Sequence, residues 1–274
     1  MVYRWDCRHC AFSAWSNSDE RLEKNAGAHL FDHHSSKLSK ADFRVAWDCP
    51  YCDAGESAHD KGAAAQAFKN HLDGHAGNSI ESNAHLADEV ENSGNVLVQT
   101  AADSAAADSA RLQFIARSDL SIIVTKSPKE RLRLLHDRFN GWPDRTVVMT
   151  TKRRPLAGAF DIDLSDAPVE VVELDRRLGP SQLGETISRV IDAHHTPDQR
   201  LAVGFDILYD IVSSFDLQTT HDFVSMLSSR LSEADALWHI YAEPRPQLST
   251  ALNVLEEYID LTVETESGVF VVNG

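Results

Sequence analysis

Four cysteines and four histidines within the first 75 residues are the side chains best placed to do chemistry. They form two sets, Cys7, Cys10, His29, His33 and Cys49, Cys52, His71, His75, each reading C-x2-C-x18-H-x3-H. Thiolate sulfur and imidazole nitrogen are donors that zinc prefers, and four protein ligands close a tetrahedral structural site. Two cysteines three apart fit a tight turn that points both thiolates inward. Two histidines four apart share one helix face, so both rings can reach one ion. Disulfides are the rival use of four cysteines, but they leave the histidine pairs unexplained and nothing signals export. The expected cofactor is zinc, two ions per chain.

The elements that must position these ligands repeat. A shift of 42 residues lays Trp5-Asp6-Cys7 on Trp47-Asp48-Cys49, Cys10 on Cys52, His29 on His71, Leu30 on Leu72 and His33 on His75. His34 neighbours His33 and is an alternative fourth ligand of the first site; the repeat favours His33. His9 and His59 fall outside the pattern and are expected to face solvent.

The ligand order and the Ala-rich segment from Ala63 to His75 resemble C2H2 zinc fingers. The departure is the central spacer, 18 residues here against the usual dozen. The resemblance implies a ββα-like unit held by its metal, because so small a unit buries too little apolar surface alone. Phe68 stands where the family places its helix hydrophobe. Ala26 stands there in the first unit, which leaves that core weaker or completed by its neighbour. The family's base-reading helix positions fall on Leu22, Asn25 and Ala28, then on Ala64, Ala67 and Asn70. None is arginine and only two are amides, so base-specific reading is disfavoured.

Charge divides the chain into three zones within a formal −16. Residues 1–77 hold 9 basic and 11 acidic residues, and 81–110 hold six acidic and no basic ones. The stretch 78–110, rich in Ala, Ser, Asp and Asn, reads as an acidic linker. Such a balance repels nucleic acid in ordinary buffer. It also matches proteins of extreme halophiles, where molar salt shortens screening to roughly 3 Å. No apolar run is long enough to span a membrane and the N-terminus lacks an apolar signal core, so a cytoplasmic protein is expected.

Residues 111–274 alternate apolar runs with amphipathic segments. Strands are expected at 121–125, 146–150, 169–174, 201–205, 236–241 and 258–264, with helices at 129–139, 181–194, 220–232 and 247–256. That alternation predicts an α/β domain, a mostly parallel sheet with helices on both faces, with Val269–Val272 as an antiparallel edge strand. The run Leu201 to Leu208, a Walker-B-like strand ending at Asp206, resembles RecA-like ATPase cores, the KaiC-like branch in particular. That family holds phosphates with a G-x-x-x-x-G-K-[ST] loop after its first strand. Here the first expected strand leads into Thr125-Lys126-Ser127-Pro128-Lys129-Glu130, with no glycine. Ser127 and Pro128 read instead as the start of a helix. The resemblance is therefore to a degenerate member in which Asp206 has no nucleotide-bound magnesium to serve. Two basic runs, Lys152-Arg153-Arg154 and Arg176-Arg177, follow expected strands and read as solvated loops.

These readings predict a non-enzymatic regulatory or adaptor protein with a protein partner. The alternative is a DNA-binding regulator contacting the phosphate backbone through Arg44, Lys61 and Lys69. A catalytic zinc enzyme is disfavoured, since catalytic zinc keeps a coordination position open. A 111–274 fragment is expected to melt cooperatively without zinc, and Cys49→Ser to lower two zinc per chain to about one if the sites are independent.

Overall fold

The computed structural model describes residues 1–35, 38–41, 43–139, 142–157, 162–266 and 268–273. The chain forms two compact units, one of Met1–His85 with Thr265–Gly274 and one of Leu86–Glu264.

The first unit opens with a hairpin of β1 (Tyr3–Asp6) and β2 (Ser13–Ser16), followed by helix α1 (Asp19–His29). Ser18 starts α1 by accepting a hydrogen bond from the Arg21 N–H, and Asp19 and Glu20 complement the helix dipole in its first turn. The second repeat follows as β3 (Ser39–Ala41), β4 (Arg44–Asp48), β5 (Gly55–Ala58) and α2 (Lys61–Gly77), where Asp60 caps the Ala63 N–H. The short strand β6 (Glu81–Ser82) then pairs with β1.

The two repeats share one core. Leu22, Ala26 and Leu30 of the first helical segment and Ala64, Phe68, Leu72 and Ala76 of α2 form one buried cluster. α1 and α2 pack closely because Gly27 has no side chain: a Cβ there would come within 2.9 Å of the Asp73 backbone nitrogen. The core gap left by Ala26 is thus filled by the neighbouring repeat. This packing also buries Leu22 and Ala64 completely.

The second unit begins where the sequence reads as a linker. Leu86–Val90 form a 3-10 turn, and β7 (Gly94–Gln99) and α3 (Ala105–Ile115) follow, with Ser104 as N-cap. The expectation of a 78–110 linker is therefore corrected. Val96-Leu97-Val98 is a short apolar run preceded by Gly94-Asn95, and Val96 and Val98 are fully buried. The acidic and alanine-rich flanks mask a strand that needs only five or six residues. Ala105 to Ala107 and Ala110 are helical, and Ala107 and Ala110 are buried.

The remaining elements are β8 (Leu120–Val124), α4 (Pro128–Arg138), β9 (Thr146–Thr150), β10 (Val169–Glu173), α5 (Pro180–His194) and β11 (Leu201–Phe205). Next come α6 (Leu208–Ser214), α7 (Leu217–Glu233), β12 (Leu237–Tyr241), α8 (Pro246–Leu255) and β13 (Leu261–Glu266). These strands run in the spatial order β10-β9-β8-β11-β12-β7-β13, and every pairing among them is parallel. β12 is inserted between β7 and the strand that leads to Asp206, an order consistent with the expected RecA-like fold.

Helices cover both faces of this sheet. Leu120, Ile122 and Val124 of β8, Leu201, Val203 and Phe205 of β11, and Trp238 and Ile240 of β12 pack against α5, α6, α7 and α8. Alternate residues point the other way: Ile123 packs with Ile115 of α3 and Leu135 of α4. On that face Gly204 makes room for His239, whose ring a Cβ would approach to 2.8 Å.

The last strand, β14 (Val269–Val272), belongs to the first unit. It pairs antiparallel with β2, Val269 opposite Ser16, and Val269 and Val271 enter the core shared by the two repeats. β14 is an antiparallel strand as expected, but its expected edge position is corrected: in the strand order it lies between β13 and β2. An apolar tetrapeptide shows strand character but not whether a further strand pairs beyond it.

Candidate functional site

Each pair of cysteines sits on a knuckle fixed by backbone hydrogen bonds. The Cys7 N–H donates to the Phe12 carbonyl at 2.9 Å, and the Cys49 N–H to that of Ala54 at 2.8 Å. The backbone N–H of His9 points to the Cys7 sulfur at 3.5 Å, and that of Tyr51 to the Cys49 sulfur at 3.4 Å. These N–H groups favour the thiolate, whereas burial pushes both Cys7 and Cys49 up from the usual thiol range.

Helices supply the other two ligands of each site. The structure groups Cys49 and Cys52 with His71 and His75, their donor atoms all within 4.8 Å of one another. The Cys49 sulfur lies 3.4 Å from His75 Nε2, the Cys52 sulfur 3.4 Å from His71 Nε2, and the two Nε2 atoms 3.2 Å apart. A tetrahedron with zinc–nitrogen and zinc–sulfur bonds of ordinary length has edges of about 3.3 Å between nitrogens and about 3.6 Å between sulfur and nitrogen. The donor set and its edge lengths therefore fit a four-coordinate metal of the zinc type. Trp47 packs beside His71 and stacks on Phe68, with ring centroids 5.1 and 4.7 Å apart.

The first group is Cys7, Cys10, His29 and His34. Both imidazole Nε2 atoms approach the Cys10 sulfur, His29 at 3.4 Å and His34 at 3.3 Å, and they lie 3.2 Å from each other. The expected ligand His33 is corrected to His34. α1 runs into a π-helical turn over Leu30–His34, and that wider turn brings residue i+5 over residue i, as an α turn does for i+4. The repeat could not show this, because a 42-residue offset assumes the same helix in both copies. His33 is exposed and stacks on the His29 ring at 4.9 Å. Burial, then the neighbouring His33 and His34, lowers His29 to about 4, which keeps it neutral and able to bind a metal at pH 7. Burial lowers His34 and His71 as well.

His34→Ala is expected to cost the first site its metal, whereas His33→Ala keeps it. Elemental analysis of the two purified variants decides between them, and metal retained in His34→Ala would restore the α-helical assignment. His9 is not idle: its ring packs between His34 and Tyr51, with centroid distances of 5.3 and 5.4 Å.

The second unit carries a buried charge cluster that sequence reasoning missed. Asp206 follows β11 as expected, with its side chain 4% exposed. Arg111 of α3 donates to one carboxylate oxygen at 2.6 Å and Arg131 of α4 to the other at 2.8 Å. Both guanidiniums also reach Asp108 Oδ1, each at 2.8 Å, and the Ala102 carbonyl. Arg111 lies over the Tyr241 ring, 4.1 Å from its centroid, and the Tyr241 hydroxyl is 2.8 Å from His239 Nδ1. Burial works against the Asp206 charge, but the two guanidiniums outweigh it and hold the carboxyl below the usual range. Burial lowers His239 to about 3, so it stays neutral.

The first strand of this sheet is β7, so the loop to test for phosphate binding is Thr100–Ser104, not the Thr125–Glu130 segment read from sequence. It reads Thr-Ala-Ala-Asp-Ser, again without glycine or lysine. Its Ala102 carbonyl points at the two arginines. Ser127 does hold the N-cap position of α4 with Pro128 after it, though its side chain makes no cap hydrogen bond.

The chain resembles several solved structures from Pyrococcus horikoshii. A KaiC-like protein is 13% identical, covers 65% of this chain and 76% of its own, and has a TM-score of 0.41. An uncharacterised protein in complex with an unknown peptide is 12% identical over 68% of this chain and 87% of its own, with a TM-score of 0.43. No curated protein matches. Among the described residues no helix is long and apolar enough to cross a membrane. The match to a defined family covers residues 93–265, opening one residue before β7 and closing at the end of the second unit, and the chain thus belongs to the family of unknown function DUF7504.

Proposed function

We propose that this chain is a non-enzymatic, zinc-binding regulatory or adaptor protein of the cytoplasm. The observation that carries this reading is the Arg111–Asp206–Arg131 cluster. In a nucleotide-hydrolysing RecA-like core, the aspartate after this strand serves a magnesium ion and the loop after the first strand wraps phosphates. Here two guanidiniums neutralise the aspartate, and the loop has neither the glycines for close backbone approach nor a lysine. The cluster fastens α3 and α4 to the sheet and leaves the aspartate no free oxygen for a metal. The two Cys2His2 groups take zinc as structural ions, four protein ligands closing each site.

The full chain, loaded with zinc, should show no hydrolysis of ATP or GTP with magnesium above the buffer background, at low and at molar salt. A protein partner recovered from the native host should be lost on Cys49→Ser. Hydrolysis by the wild type that disappears in Asp206→Ala would overturn the reading. The DNA-binding alternative gains no support: Leu22 and Ala64, two of the six base-reading positions, are buried between the helices. Arg44 donates to the Ser57 carbonyl, and Lys69 lies near Asp32 and over the Phe31 ring.

A further inference from the structure

The basic runs Lys152-Arg153-Arg154 and Arg176-Arg177 are far apart in sequence but leave the sheet at one place. β9 and β10 are parallel neighbours with Thr150 opposite Glu173, so both runs emerge from the same sheet edge. Lys126, just after β8, stands on the adjoining strand end. Six basic side chains thus gather with three acidic ones, Glu173, Asp175 and Asp210, in a chain whose net charge is −16.

Between these strand ends and α6 lies a cleft of about 200 Å³. Its floor is apolar, formed by Val124, Met149, Leu174, Leu183 and Ile211, all buried, with half-exposed Phe215 also lining it. It opens on the sheet face covered by α5 to α8, opposite the Arg111–Asp206–Arg131 cluster. Open parallel sheets bind ligands outside the carboxyl ends of their strands. α5 begins in the cleft wall at Pro180 with no side-chain cap, which adds the positive end of a helix dipole.

Arg176 is the side chain best prepared to meet a ligand. Its Nε donates to the Thr151 carbonyl at 3.0 Å, which fixes the plane of the guanidinium. Both terminal amino groups are without a partner among the described residues. The adjacent Asp175 does not take them up: its carboxylate accepts from the Arg177 N–H at 2.9 Å and pairs with the Arg177 guanidinium at 3.4 Å. Across the cleft Lys126 is paired with Asp210. An oriented guanidinium with a free fork beside an apolar hollow suits a planar or tetrahedral oxyanion carried on an apolar body.

We propose that this cleft binds a small amphiphilic anion, its carboxylate or phosphate on the Arg176 fork and a single ring or short chain on the apolar floor. The test is a proton–nitrogen NMR titration of the full zinc-loaded chain at low salt, following the Arg176 Nε–H and the Thr125 and Thr151 amides. Phenyl phosphate and phenylacetate represent the two anion classes, and inorganic phosphate and benzyl alcohol each supply half of the ligand. Saturable shifts are expected with at least one of the amphiphilic anions at tenfold or higher affinity than with either half. The tighter of the two names the class. Arg176→Gln should weaken that binding tenfold or more, and Arg189→Gln, outside the cleft lining, should leave it unchanged; both positions are exposed, so both variants should fold. No saturable shift, equal affinity for inorganic phosphate alone, or wild-type affinity in Arg176→Gln would overturn the proposal.

Discussion

Cys49→Ser in the full chain is expected to empty both metal centres, taking zinc from two per chain to well below one. The sequence, read as two fingers in tandem, predicts a fall to about one. The packing of α1 against α2 changes that expectation. Leu22, Ala26 and Leu30 share one buried cluster with Ala64, Phe68, Leu72 and Ala76 of the other repeat. The first site also leans on the second directly, because the Tyr51 hydroxyl donates to the His34 carbonyl at 3.3 Å. A structural zinc contributes ~10–16 kcal/mol to the folding of a small unit, against a whole-domain stability of only ~5–15 kcal/mol. Losing one ion therefore removes enough to unfold the shared core, and the second site goes with it. Elemental analysis of Cys49→Ser, and of Cys7→Ser as its mirror, measures this. One zinc retained in each variant would show that the centres are independent and that the common core does not couple them.

The ligand set was legible because metal chemistry admits few residue types at few spacings, and seven of the eight expected ligands lie in the two groups. His33 failed for a local reason: sequence spacing reports a helix of uniform pitch, and the π turn at Leu30–His34 breaks that assumption. The six expected strands of the α/β unit were legible because four of them, β8, β9, β11 and β12, are buried throughout and β10 and β13 are short runs rich in β-branched residues. β7 was not, since its three-residue apolar stretch lies in an acidic, alanine-rich region whose composition dominates any longer window. Without β7, Thr125–Glu130 stands after the first strand in place of Thr100–Ser104, and both segments lack glycine. The arginine clamp on Asp206 was beyond sequence reading. Arg111, Arg131 and Asp206 lie on three elements, and their meeting depends on the strand order. The only signal was weak: an arginine on each of two helices that would otherwise present an apolar face to the sheet.

The strand order also dictates which fragment folds without metal. A fragment of residues 86–264 is expected to melt in one cooperative transition in the presence of a zinc chelator. The 111–274 fragment suggested by the sequence is not. It lacks β7, which lies between β12 and β13 and pairs with both. Val96, Leu97 and Val98 are buried, and burial of such a side chain contributes roughly 1.5–3 kcal/mol. Their removal alone costs about as much as a typical domain has to lose. The truncation also removes Asp108 and the Ala102 carbonyl, which leaves Arg111 and Arg131 to share Asp206 alone. Breaking a buried charge cluster in this way costs several kcal/mol more. At its other end the fragment retains β14, whose partner β2 is missing, so that Val269 and Val271 lose the core they enter. The 111–274 chain should therefore be insoluble or melt without a cooperative transition. Circular dichroism melts of both fragments, each with chelator and with added zinc, provide the measurement. A 111–274 fragment as stable as 86–264 would show β7 to be dispensable, and an 86–264 fragment that melts cooperatively only with zinc would show that the division into units is wrong.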